Sequence, residues 1–182
     1  NNMDTPNTTK VGQLERKTQN RIVSLFRDRL AYDYLGNWEE RDDNSNIEEG
    51  YLRLFLDLAG HSETLIQKAI SELKKTANNS QMSLYNLNKE TYGLLRYGIK
   101  VREELGENYK TIWPIDWENP ENNHFGIAEE VTIRGNRTKR PDVVLYVNGI
   151  ALGVLELKRS IISVSEGIRQ NIGNQKEEFI RT

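Results

Sequence analysis

Residues 141–158 read PDVVLYVNGIALGVLELK, and the fold turns on how this stretch pairs with itself. Two short runs rich in aliphatic and β-branched residues, 141–147 and 150–158, flank Asn148-Gly149, a strong short-range hairpin signal. The hairpin opens on Pro141-Asp142 and closes on Glu156-Leu157-Lys158. Alternate side chains of a strand share a face, so Glu156 and Lys158 point the same way. Whether Asp142 joins them is a matter of register. A two-residue loop of Asn148 and Gly149 pairs Val147 with Ile150, gives each pair an odd sum of residue numbers and turns Asp142 away from Glu156. A three-residue loop, 147–149 or 148–150, makes the sum even and brings Asp142, Glu156 and Lys158 to one face. A working site on this hairpin therefore needs a three-residue loop or a bulge, and a plain two-residue turn without a compensating bulge excludes it.

Upstream, segments 98–102 (GIKVR), 109–115 (YKTIWPI) and 125–134 (FGIAEEVTIR) are also short, β-branched and bounded by Gly, Asn or Pro, which is how strands read. The first hundred residues differ. Apolar positions at helical spacing give an amphipathic helix over 11–30 and a second over 47–58 ended by Gly60. Ser62 caps a third through about Lys75, with Leu65, Ile66, Ala69, Ile70 and Leu73 as its apolar face. Residues 35–46 (LGNWEERDDNSN) read as a loop, and 83–96 as a short helix and a turn. After the hairpin, Ser163 with Glu166 fits a capping box that opens a helix through about Asn171. Helices, a largely antiparallel sheet and a closing helix make a mixed α/β or α+β domain with helices packed on the sheet.

The 182 residues allow one real core and little room for a second. Residues 11–182 are expected to form a single domain behind a disordered or appended tail at 1–10. The last residues, 179–182, fall inside what reads as a helix, so a piece of a longer chain is expected. With no cysteine there is no disulfide framework, thiolate nucleophile, Cys-ligated zinc or iron–sulfur cluster. No run approaches the roughly 20 apolar residues of a membrane helix, and no signal peptide opens the chain, so a reducing, cytoplasmic setting and no membrane partner are expected. The net charge of −2 hides an asymmetry: residues 131–182 carry nine Lys/Arg against five Asp/Glu, leaving 16 against 22 on residues 1–130. A basic lean beside the hairpin suits a phosphate-binding face.

Two carboxylates and an ammonium at a strand end can do metal-assisted phosphodiester hydrolysis. Mg²⁺ takes oxygen ligands, usually one or two carboxylates plus waters and phosphate oxygens, which Asp142 and Glu156 can provide. The ion polarises the phosphate and helps generate hydroxide from bound water. Lys158, kept charged by the adjacent carboxylates, positions that water or stabilises charge developing on phosphate. A structural ion pair at the strand end is the competing reading. Glu-x-Lys also occurs at Glu15-Lys17 and Glu72-Lys74, but there the residues fall in helices, where positions two apart do not face each other. Arg134, Arg137, Lys139 and Arg140 lie just before Asp142 and would bring phosphates to the site, unless they form only a solvated loop. His61 and His124, far apart and without Cys partners, read as loop or cap residues, and Trp113 and Trp117 as packing. No G-x-x-x-x-G-K-[ST] occurs.

Pro141-Asp142, thirteen intervening residues, then Glu156-Leu157-Lys158 resembles the PD-(D/E)xK nuclease motif. Around it, Ile115-Asp116-Trp117, EEVT (129–132), KRPD (139–142), VLYVNG (144–149), LELKRS (155–160) and EGIRQN (166–171) are similar to the N-terminal region of the restriction subunit of type I restriction-modification enzymes. Tyr34-Leu35-Gly36, Leu84-Tyr85 and LRYGIKV (95–101) extend the likeness over about 11–182. The resemblance implies a restriction-endonuclease-like core, a central mixed or antiparallel sheet flanked by helices. It further implies a type I deoxyribonuclease: an endonuclease domain that hydrolyses double-stranded DNA non-specifically when coupled to an ATP-driven translocase lying beyond this chain. Modification and specificity subunits would be its partners, Mg²⁺ its cofactor, and ATP would bind only elsewhere in the full-length subunit. Matched residue by residue, Asp142 and Glu156 are metal ligands, Lys158 is the catalytic lysine, and Gln170 is the Gln of a QxxxY element beside the active site that touches DNA, with Asn174 where that element has Tyr. Gln170 otherwise reads as a surface helix residue. The acid that related nucleases carry on their first helix falls at Glu15, with Gln19 aligning almost as well. A non-catalytic docking module of the same fold and a structure-specific repair or recombination nuclease are the rival expectations.

Overall fold

The helical periodicity that starts near Val11 forms α1, Thr8–Asp28, whose inward face is Gln19, Val23 and Phe26, spaced three to four residues apart as one side of a helix requires. The computed structural model describes residues 8–42, 44–78, 81, 84–132 and 140–157. Among them lie four helices, a four-stranded sheet and a separate two-stranded sheet, a mixed α/β architecture.

Helix α2, Glu49–Leu58, buries Leu52 and Leu56, while Leu54 and Leu58 of its expected stripe face solvent. Helix α3, Glu63–Ala77, starts where expected: the Ser62 hydroxyl accepts from the Leu65 amide at 3.3 Å, and Leu65, Ile66, Ala69, Ile70 and Leu73 are all buried. Helix α4, Leu84–Tyr97, is longer than the short helix and turn expected there, and ends at Gly98, whose φ of 83° closes the last turn. These helices pack with Ile99, Val101, Ile112 and Ile115 into the largest core cluster. Burying a Leu or Ile side chain contributes about 1.5–3 kcal/mol relative to leaving it exposed, and this cluster therefore anchors the helical half.

The segments read as strands at 98–102 and 109–115 do not join the central sheet. They form β2, Ile99–Val101, and β3, Lys110–Ile112, an antiparallel pair of their own, because their buried residues serve the helical core. The central sheet is ordered β1-β4-β5-β6. Its edge strand β1, Asp33–Asn37, runs parallel to β4, Phe125–Glu129, so part of the expected loop at 35–46 is a strand. The strand expected over 125–134 stops at Glu129, since Glu130 takes φ +53° and leaves the extended region. One sheet face, Ile127, Val143, Leu145 and Leu155, lies against Val23 and Phe26 of α1. The other, Ala128, Val144 and Tyr146, packs on Leu35, Trp38 and Val131.

Strands β5, Val143–Val147, and β6, Ile150–Leu155, make the hairpin. Its loop is two residues: Val147 pairs with Ile150, and Asn148 (φ 49°) and Gly149 (φ 78°) supply the two positive φ angles of a type I′ turn. Of the two expected alternatives, the three-residue loop is therefore absent. A bulge takes its place, because Tyr146 pairs with Ala151 but Leu145 with Gly153, leaving Leu152 unpaired. From there to Val143 and Leu155 the register has an even sum. The bulge does what the longer loop would have done.

The turn is held from both sides. Asn148 is fully buried; its side chain donates to Pro114 O at 2.9 Å and Asn123 Oδ1 at 2.8 Å and accepts from the His124 amide at 2.7 Å. Opposite, the Glu48 amide donates to Gly149 O at 2.7 Å and the Ala151 amide to Asn46 O at 2.9 Å. A Cβ on Gly149 would stand 2.3 Å from Glu48 O, so only glycine fits.

Candidate active site

Polar residues replace apolar ones where the amino-terminal half of α1 crosses the ends of β4 and β5. Gln19 is buried there and spreads one amide over three acceptors: Glu129 Oε1 at 2.9 Å, Glu130 Oε1 at 3.2 Å and Asp142 O at 3.4 Å. Glu129, the last residue of β4, is equally buried, and its second oxygen accepts from the Tyr34 hydroxyl at 2.6 Å. A buried carboxylate costs free energy unless its lone pairs are filled, and Gln19 and Tyr34 fill one oxygen each. The Tyr34 phenol is pushed up to about 12 by burial and then by its bond to Glu129 and that carboxylate's charge, with Arg27 and Arg16 pulling the other way.

Glu130 sits in the left-handed region, a conformation costing a non-glycine residue on the order of 1–3 kcal/mol unless its surroundings impose it. Here they do. Its amide donates to Asp142 O at 3.0 Å, its carboxylate accepts from Gln19 and lies 3.2 Å from Arg140 Nε, and Arg140 reaches Glu39 with its other arm at 3.1 Å.

Asp142 follows Pro141 one residue before β5. Its Oδ2 accepts from the Leu157 amide at 2.6 Å, a bond that fixes the carboxylate against the end of β6. Continuing the post-bulge register by one residue sets Glu156 opposite Asp142, with Glu156 exposed to solvent. A cavity of about 260 Å³ opens between α1 and these strand ends, lined by Glu15, Arg16, Gln19, Glu130, Arg140, Asp142 and Leu157, with Gly12; Glu156 is not part of its lining. Both first-helix candidates, Glu15 and Gln19, therefore reach it. Among the proposed phosphate contacts, Arg140 is in place but already shared between two carboxylates. Lys158, Gln170, Arg134, Arg137 and Lys139 lie outside the described residues. Sequence reasoning gave no role to Glu129, Glu130, Tyr34 or Arg16; the adjacent Glu129-Glu130 pair at the end of an apolar strand was the available signal.

The donors here are carboxylates, which suit a hard divalent cation. Among the described residues no three His, Cys, Asp or Glu are grouped to hold a metal ion. A Mg²⁺ site takes only one or two protein carboxylates and fills the rest with water and phosphate oxygens, and Asp142 and Glu156 are of that donor type. The histidines do not contribute: His124 Nε2 lies 2.7 Å from Asp33 Oδ2 with its ring stacked on Tyr51, and His61 precedes the α3 cap.

Fold and site together define a mixed α/β domain with an acidic cleft at the ends of its central strands, roofed by the first helix. The chain belongs to the family of type I restriction enzyme R protein N termini, whose pattern it matches over residues 12–181. It is 32% identical over 114 residues to the putative type I restriction enzyme MjaVIIIP endonuclease subunit of Methanocaldococcus jannaschii, covering 62% of this chain and 11% of that protein. It is 31% identical over 102 residues to the type I restriction enzyme HindI endonuclease subunit of Haemophilus influenzae, covering 53% of this chain and 10% of that one. The match thus spans about a tenth of the length of these relatives. No helix among the described residues is long and apolar enough to cross a membrane.

Proposed function

We propose that this chain is the nuclease part of a type I restriction subunit, a Mg²⁺-dependent endonuclease that hydrolyses DNA phosphodiester bonds without reading sequence itself. The bulge at Leu152 is the observation that carries the reading. It gives the outer hairpin pairs, up to Val143 and Leu155, an even register, which continued by one residue would set Asp142 opposite Glu156, whereas the other register would part them.

In this reading Asp142 and Glu156 hold the cation, which when bound polarises the scissile phosphate and lowers the pKa of a coordinated water. The Leu157 amide, by occupying Asp142 Oδ2, orients that carboxylate. Lys158, two positions after Glu156 in the sequence, stabilises negative charge developing on the phosphate. Water adds to phosphorus as one P–O ester bond breaks, leaving a phosphate monoester and an alcohol. Gln170 and the basic residues Arg134, Arg137 and Lys139 contact the DNA backbone, Arg140 being held by Glu130 and Glu39, and Glu15 is the first-helix acid. Cleavage is conditional on a translocase carried elsewhere in the subunit and on assembly with modification and specificity subunits in the cytoplasm.

Calorimetric titration of Mg²⁺ or Mn²⁺ into wild type and Asp142→Ala, paired with cleavage assays of the assembled enzyme, tests this. Loss of both binding and cleavage in the variant is expected. Equal metal binding by the two proteins would move the assignment to a non-catalytic docking module, and cutting of branched DNA by this chain alone would favour a repair-type nuclease.

A further inference from the structure

Two guanidinium groups line the cavity that holds Asp142, those of Arg140 and Arg16. They are not equivalent. Arg140 is consumed within the protein, one arm on Glu130 and one on Glu39. Arg16 is exposed, and no carboxylate among the described residues lies within ion-pairing distance of it. Its neighbour Glu15 is one position away on the helix, where side chains do not face each other. Gln19, three residues on, lies on the same side of α1 and ties that turn of the helix to Glu129, Glu130 and Asp142. The turn of α1 that carries Arg16 is therefore held against Asp142 by a partly buried hydrogen-bond network.

A cation with no ion-pair partner among the described residues, held at the mouth of a carboxylate-bearing cleft, attracts an anion that the carboxylates alone would repel. Guanidinium is also the side chain whose planar fork matches two phosphate oxygens. We infer that Arg16 is the phosphate-contacting cation of this cleft and binds a backbone phosphate of DNA beside the one to be cleaved, while Arg140 serves to hold Glu130. The inference rests on the nuclease reading and adds α1 to a DNA surface otherwise assigned to residues 134–139.

The full-length subunit containing this chain is the material for the test, with a fluorescein-labelled DNA duplex as probe and anisotropy read over a series of salt concentrations. Each phosphate neutralised contributes roughly 0.9 to the slope of log K against log salt. Arg16→Ala is expected to flatten the slope by about that amount and weaken binding equally for unrelated sequences. Arg16→Lys is expected to recover most of it, and Lys75→Ala, on the exposed face of α3, to leave it unchanged. Metal affinity in calorimetry should be the same for Arg16→Ala and wild type. An unchanged slope in Arg16→Ala, a wild type that does not bind the duplex, or an equal loss in Lys75→Ala overturns the inference. Retained cleavage in Asp142→Ala would instead overturn the nuclease reading, whatever Arg16 does.

Discussion

Replacing Asn148 by alanine removes the side chain that ties the hairpin turn to the loop crossing beneath it. Two backbone groups lose their partner, the His124 amide and the Pro114 carbonyl; Asn123 Oδ1 keeps the Asp116 amide at 2.8 Å. Each orphaned buried group costs about 1–3 kcal/mol, less where water can reach it. An alanine at φ 49° adds about 1–2 kcal/mol of backbone strain that asparagine bears more easily. The total is about 3–8 kcal/mol, a large share of the roughly 5–15 kcal/mol by which a domain is stable. Urea unfolding followed by tryptophan fluorescence measures it. Asn148→Gly, which loses the same hydrogen bonds but takes positive φ freely, should be milder by about 1–2 kcal/mol. A loss below about 1 kcal/mol in the alanine variant, or a glycine variant less stable than the alanine one, refutes the account of the turn as a staple.

Further perturbations probe the network behind the cleft and the turn's other side. Gln19→Leu leaves Glu129 Oε1 without its donor and should cost about 1–3 kcal/mol in the same assay. Because the Tyr34 phenol is raised from 10 to about 12 in the folded state, its contribution is fully present below about pH 10 and fades as pH rises toward 12. Ultraviolet titration should show a late-ionising tyrosine in that window, missing from Tyr34→Phe. Gly149→Ala drives a Cβ into Glu48 O, so hydrogen exchange at the Glu48 and Ala151 amides, which pin the turn, should accelerate well beyond that of α3.

Helix α3 was legible to within two residues of its end at Ala77, because cap, period and apolar face agree. Strand β1 was not: DYLGN has no alternation, only Leu35 and Gly36 of it are even half-buried, and its partner β4 lies some ninety residues away, so its pairing is decided by tertiary contact rather than local pattern. The hairpin shows both sides. Asn148-Gly149 announced a two-residue turn, and the requirement for an even register was readable from chemistry, but the bulge that reconciles them at Leu152 arises from pairing and leaves no local mark. Of the site, Asp142 and Glu156 were visible as motif residues. Glu129 and Glu130 were hidden by the expectation of a strand running to Arg134, in which they read as one inward and one outward residue of an ordinary alternation. Gln19 carries no signature at all, since an amide within an amphipathic helix gains meaning only from what it meets.

The bonds from Gln19 span 110 to 123 residues of sequence. At a synthesis rate of about 5–20 residues per second, α1 leaves the ribosome roughly 6–25 s before the strand ends it must roof. A nascent chain therefore carries its first helix for many seconds with no cleft beneath it, and only the late arrival of the hairpin assembles one. For a protein whose proposed chemistry would cut the cell's own template, the order of synthesis keeps the cleft unassembled until the hairpin has emerged.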